Sequence, residues 1–254
     1  MPTSLNFISA ALLLAGAAHA DPISLRHHQG EVHAFLAIRS EGGKLLGTAD
    51  EVNVPVGKVW RSRLTLHFFD GSIDDDTATY TQGKDLRLLT DHHVQKGPSF
   101  PQPSDVLIDM QKGNVTYLEV KDGKGTMQIE HMDLPTDLGN GVMPLVLQNY
   151  PSGTDEFKMS YLVNTPKPRV IKFAIHPDGA SGFRLGGVRH AAEKYRLHVE
   201  IGGFTGVVAP LIGKEPPDMN AWVSSGEAPT FLKLYGFLYV GGPMVRLELA
   251  SPQW

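Results

Sequence analysis

Residues 62–72, SRLTLHFFDGS, decide the fold class. Leu64, Leu66 and Phe68 alternate with Arg63, Thr65 and His67, the period of a strand with one buried face. Asp70-Gly71 then supplies the dipeptide that a tight hairpin prefers.

The same signal repeats on both sides of this stretch. KDLRLLTDHHV (84–94) sets Leu86 and Leu88 on one face. DVLIDM (105–110) and VTYLEV (115–120) flank a turn at Lys112-Gly113-Asn114, and KDGKG (121–125) separates VTYLEV from TMQIEHM (126–132). Short turns between alternating runs describe an antiparallel meander. Residues 133–151, DLPTDLGNGVMPLVLQNYP, interrupt it. Asp133 as cap, Pro135 in the first turn, and Leu138, Val142, Leu145 and Val146 on one face predict a helix, which Gly139, Gly141 and Pro144 reduce to a short or broken one. Strands resume with FKMSYLV (157–163) and with RVIKFAIHPDG (169–179), where Pro177-Asp178-Gly179 reads as a turn. KYRLHVEIGG (194–203) follows, and APTFLKLYGFLYVGGPMVRLELA (228–250) closes as a hairpin about Gly241-Gly242. The expected class is mainly β, a β-rich α+β fold: a curved antiparallel sheet or half-barrel with one short or broken helix.

Residues 1–20 read as a signal peptide. FISAALLLAGAA (7–18) is an apolar run of export-signal length and Ala18-His19-Ala20 is an A-x-A cleavage site, although no Lys or Arg precedes the run. The mature chain is then 21–254, one β-rich domain whose halves meet near 150, with no transmembrane segment expected in it. A net charge of −4 argues against a nucleic-acid partner. The absence of cysteine removes disulfides, a thiolate nucleophile and Cys-ligated zinc.

The paired histidines offer the first candidate site. On an unbroken strand from Leu86, His92 shares a face with Leu86, Leu88 and Thr90, and His93 shares the other with Arg87, Leu89 and Asp91. Pointing apart, the two do not ligate one ion, and a structural pair at a strand end is the favoured reading. One of them could still join His67 or His131 across strands, and Asp91 could orient His93. His27, His28 and His33 read as a solvated tail entering the first strand. Asp74, Asp75 and Asp76 read as a charged hairpin tip, because the spacing of a calcium loop is absent. The chain has no G-x-S-x-G, S-x-x-K, H-E-x-x-H, Walker A or G-x-G-x-x-G motif, which lowers the prospect of an enzyme. No cofactor is implied.

Two apolar stretches point to binding. IGGFTGVVAPLIGKEPPDMNAWV (201–223) is either a loop lining a hydrophobic groove or a buried crossover. In FLKLYGFLYV (231–240), Leu232, Leu234, Leu238 and Val240 fall on one face and Phe231, Lys233, Tyr235, Phe237 and Tyr239 on the other. A strand apolar on both faces is either central between layers or lines a cavity. Aromatic rings with a lysine suit an amphiphile pocket, so those five residues are the expected ligand-binding set.

DHHVQKGPSFP (91–101), VVAPLIGKEPPD (207–218) and GGPMVRLELASP (241–252) resemble phrases of an uncharacterised family of exported bacterial proteins, which carries no established activity. The order of strands, helical interruption and strands is similar in topology to LolA-like and LolB-like periplasmic lipoprotein carriers. That resemblance implies a curved sheet that wraps a helix and shelters acyl chains, without transferring any binding residue. The sequence thus points to a periplasmic or secreted, non-enzymatic protein that binds a hydrophobic or lipid-like ligand. A hydrolase or metal-dependent enzyme using His92, His93 and Asp91 is one alternative, and an envelope protein–protein interaction module is another. The sequence does not set the oligomeric state.

Overall fold

The computed structural model describes residues 22–164, 167–185, 187–200 and 216–250. The expected signal peptide and residues 201–215 of the apolar 201–223 stretch lie outside them.

Fifteen strands and one short helix are described. The first run is β1 (Ile23–Ser24), β2 (Val32–Ser40), β3 (Leu45–Val56), β4 (Val59–Phe68), β5 (Ile73–Gln82), β6 (Asp85–Lys96), β7 (Ser104–Asp109), β8 (Asn114–Lys121) and β9 (Lys124–His131). The helix α1 (Met143–Gln148) follows. The second run is β10 (Phe157–Asn164), β11 (Pro168–Leu185), β12 (Val188–Glu200), β13 (Met219–Ser224), β14 (Phe231–Phe237) and β15 (Met244–Leu249). All belong to one antiparallel sheet, in the order β10-β11-β12-β13-β14-β15-β2-β3-β4-β5-β6-β7-β8-β9, with β1 added on β6. Each run is a meander. The pairing of β15 with β2, from Val245 opposite Ser40 to Leu249 opposite Leu36, welds the two together. Among the described residues the sheet does not close: β9 and β10 are its two edges.

The connector between those edges fills the concave side. Leu138, Val142, Leu145, Val146, Leu147 and Tyr150 are buried against Tyr80, Leu86, Ile108 and Val115 of the first run and Met159, Ile175, Leu197 and Ala221 of the second. The helical face expected from Leu138 to Val146 is thus buried, but the helix starts at Met143 and not near Asp133. Pro144 sits in its first turn, where the missing N–H is no loss. A second core cluster, Leu36, Ile38, Ala49, Leu66, Phe231 and Leu247, underlies the weld.

The connector also finishes the β10 edge. Leu138 bridges Ser160 in parallel fashion, and the Gly139 N–H donates to the Ser160 carbonyl at 2.9 Å. The Asn140 side chain bonds both backbone groups of Leu162, donating to its carbonyl at 3.0 Å and accepting from its N–H at 2.7 Å. Asp137 accepts from the Ser160 N–H at 3.2 Å and from Lys172 at 2.7 Å. A primary amide thereby does the work of a neighbouring strand.

Three expectations are corrected here. Pro177-Asp178-Gly179 is not a turn: β11 runs through it, with a register shift between Pro177 and Ala180 opposite β12. Gly179, at φ 91°, supplies the left-handed residue such a bulge uses. The segment before β2 is not a solvated tail, because the Arg26 and His27 N–H groups both donate to Asn149 Oδ1 at 2.7 Å and Ile23 pairs with Leu86. The triplet Asp74–Asp76 is not a hairpin tip, since it lies within β5.

Candidate functional site on the concave face

One inserted residue builds the site. Between β5 and β6, Thr79 pairs with Thr90 but Tyr80 pairs with Leu88, so Leu89 is an extra residue in β6. Leu86 and Leu88 point into the core. Beyond the bulge the alternation is reset, and Asp91 and Gln95 are buried. His93, two residues from each, shares their inward face. This corrects the expectation for the histidines: His93, and not His92, joins the face of Leu86 and Leu88. They do point apart. His92 turns outward and meets Asp105 at 2.9 Å.

The registers Asp74–Gln95, Asp76–His93 and Ala78–Asp91 line up a polar seam on the concave face. His93 Nε2 lies 2.7 Å from Asp74 Oδ1. The Gln95 side-chain amide donates to Asp74 Oδ2 at 2.9 Å and to the Leu238 carbonyl at 2.8 Å. Asp76 and Asp91 are hydrogen-bonded to one another through their carboxyl groups, and the Oδ1 atom of each is buried with no donor from any other described residue. Gly141 covers them from the connector. It stands at φ 64°, and a Cβ added there would fall 2.3 Å from Asp91 Oδ1 and 2.6 Å from the Ala78 methyl. Only glycine fits this crossing.

Burial governs the protonation of the seam. Burial, and then the charge and hydrogen bond of Asp76, raise the Asp91 carboxyl well above the usual carboxylate range. Burial likewise raises Asp76, against the opposing pull of His93. The pair therefore holds a proton that two separate carboxylates would release. Burial disfavours the charged form of His93, but the Asp74 hydrogen bond and the charges of Asp74, Asp76 and Asp75 outweigh it, and its pKa rises to about 9. Tyr161 of β10 faces the same charges: burial first, then Asp76, Asp91 and Asp74, raise its phenol, which stays protonated. The seam thus gathers an imidazole, the Asp74 carboxyl that it meets and a coupled carboxyl pair, and it reaches solvent where His93 is partly exposed.

The five residues expected to bind ligand are not brought onto one face. A register shift against β13 between Trp222 and Val223 splits them. Phe231 is buried in the second core cluster and Phe237 packs against the first. Lys233 lies 3.8 Å above the Trp222 ring, and the Tyr235 hydroxyl donates to Glu41 at 2.7 Å. Tyr239 stands beyond the strand end, its ring edge-on to Phe100 at 5.8 Å. Among the described residues no group of three or more His, Asp or Glu side chains is arranged to hold a metal ion. His67 is exposed on β4 and His131 bonds Asn114 at 3.2 Å, so neither joins His93. Open grooves of about 340 and 480 Å³ lie elsewhere, beside Trp60 and Lys84 and beside Met110 and Met132, and the seam lines neither.

In the sequence Gln95 and Tyr161 do not stand out, Asp74 and Asp76 read as a charged hairpin tip, and Gly141 reads only as a helix breaker. A signal for part of the seam was present: Asp76, Ala78 and Tyr80 alternate with Thr77 and Thr79 as a strand does.

No family model matches the chain, and no curated protein does. Among solved structures, it is similar to the crystal structure of a beta-barrel-like protein of domain of unknown function DUF1849 from Brucella abortus. The two share 9% identity at a TM-score of 0.45, over 88% of this chain and 98% of that one.

Proposed function

We propose that this is an exported, non-enzymatic envelope protein that binds an amphiphile on the concave face of its sheet, with the polar end of the ligand at the seam. The observation that carries the reading is the pair of buried carboxyl oxygens, Asp76 Oδ1 and Asp91 Oδ1, which receive no donor from any other described residue and sit in a polar seam set into an apolar core. Buried polar atoms are nearly always paired, and an apolar lining with a few convergent polar groups is the usual make-up of a small-molecule site. The seam carries more acid than base, so the end group it suits is uncharged or cationic. Phe237 and Tyr239 remain candidate lining residues on this reading, and Lys233 and Tyr235 do not. Export rests on the apolar run and A-x-A site before residue 21.

Fluorescent alkylamine and fatty-acid probes test the proposal. The alkylamine should bind wild type more tightly than the fatty acid does, and Asp91→Asn should weaken it about tenfold, the loss of roughly 1.4 kcal/mol. Failure of both probes to bind wild type would overturn it.

The hydrolase alternative keeps one specific support, since a carboxyl pair and a histidine with displaced pKa values are also the make-up of acid–base sites. On that reading Asp91 and His93 act together and His92 takes no part. Ester and glycoside substrates assayed against wild type and His93→Ala would reveal it.

A further inference from the structure

We infer that β9 is a self-association surface, on which two copies of the chain pair antiparallel, β9 to β9, about a two-fold axis through Met127. Among the described strands β9 has one neighbour, β8, and its own residues are exposed along nearly their whole length. The hairpin joining them turns on Asp122 and Gly123, both at left-handed φ. Lys121 is opposite Lys124, Leu118 opposite Met127 and Asn114 opposite His131. Beyond the strand end the Met132 N–H donates to the Gly113 carbonyl at 2.8 Å. By alternation, the even-numbered residues of β9 bond to β8, and the N–H and C=O groups of Gly125, Met127 and Ile129 point to the open edge.

The side chains agree with this. Val115 and Tyr117 are buried, so Thr116, Leu118 and Val120 take the outer face of β8. Met127 and Ile129 stand beside them, and Leu107 of β7 lies beyond Thr116. Leu107, Val120, Met127 and Ile129 are exposed by 39%, 47%, 49% and 71%, a single apolar patch that runs up to the bare edge. Exposed edges of this kind are normally blocked by charge or proline along the strand. Here the charges, Lys124 and Glu130, stand near the two ends.

Those charges choose the occupant. With the axis at Met127, Lys124 of each copy lies directly opposite Glu130 of the other, Thr126 opposite Gln128, and Gly125 opposite Ile129. No other antiparallel register sets Lys124 against Glu130. In this one the outward N–H groups of Gly125, Met127 and Ile129 face outward carbonyls, and the apolar patches of the two copies become continuous. Opposite charges placed directly across strands favour the pairing.

The chain has no cysteine, which allows a direct test on the full-length protein. Met127→Cys puts two thiols at the axis, where a hydrogen-bonded antiparallel pair has Cα atoms about 5.5 Å apart, within the span of a disulfide. Under mild oxidation this variant should cross-link at least tenfold faster than Val56→Cys, an exposed control distant from β9 in the sheet order. Sedimentation should show Lys124→Glu weakening dimerisation about tenfold and the Lys124→Glu, Glu130→Lys double variant restoring it. Equal cross-linking rates for the two cysteine variants, a monomer at every concentration up to about 100 μM, or capture of a different protein by β9 with no self-association would overturn the inference.

Discussion

The two edges of the sheet are treated in opposite ways. At β10 the connector supplies a surrogate strand: Asp137, Gly139 and Asn140 occupy backbone groups of Ser160 and Leu162. At β9 no described element takes that place, and the patch beside it is apolar. An edge closed from within belongs to the core, while an edge left open is available to another chain. The same connector that closes β10 also presses Gly141 onto Asp76 and Asp91, so the closed edge and the polar seam form one structural unit.

The contrast breaks most severely at Gly141. Gly141→Ala combines a left-handed backbone with a collision at Asp91 and should destabilise the protein by about 3 kcal/mol or more in urea unfolding. Asn140→Ala strands both buried backbone groups of Leu162 and should cost about 2–3 kcal/mol, read in the same way. At the open edge Ile129→Lys should change monomer stability by no more than about 0.5 kcal/mol, because a side chain 71% exposed has little packing to lose. A large loss there, or none at Asn140, would erase the distinction between the edges.

The pH dependence sharpens the account of the closed side. Asp91 binds its proton more tightly folded than unfolded, so its stabilising effect is full at low pH and fades as pH rises above the ordinary aspartate value of 3.8 toward its raised folded value. His93 has a folded pKa of about 9 against 6.5 unfolded, so its contribution is full below 6.5 and is lost through pH 9. Stability should therefore decline from mildly acid to alkaline pH, and His93→Ala should flatten the part between 6.5 and 9. Denaturant midpoints at unit pH intervals check this.

Much of the sheet was legible because alternation survives wherever one face is buried. Leu64, Leu66 and Phe68 against Arg63, Thr65 and His67 announce β4, and Asp70-Gly71 marks its turn onto β5. The site was less legible, because it depends on one residue of register. Nothing in LRLLTDHH marks Leu89 as the extra one: its status is set by Thr79 and Tyr80 on the neighbouring strand. The bulge at Trp222–Val223 divided the Phe231 to Tyr239 set by the same means. The weld of β15 to β2 joins residues some two hundred positions apart, for which local pattern carries no signal.

The central claim is that the buried carboxyl pair serves a ligand at the expense of the fold. The most direct test is the urea midpoint of Asp91→Asn against wild type at pH 8. Asparagine keeps the shape and a donor toward Asp76 without needing a tightly held proton. The account predicts a higher midpoint for the variant, as expected where function and stability conflict. A lower midpoint would show that the pair holds the structure together, and the seam would lose its claim to be a binding site.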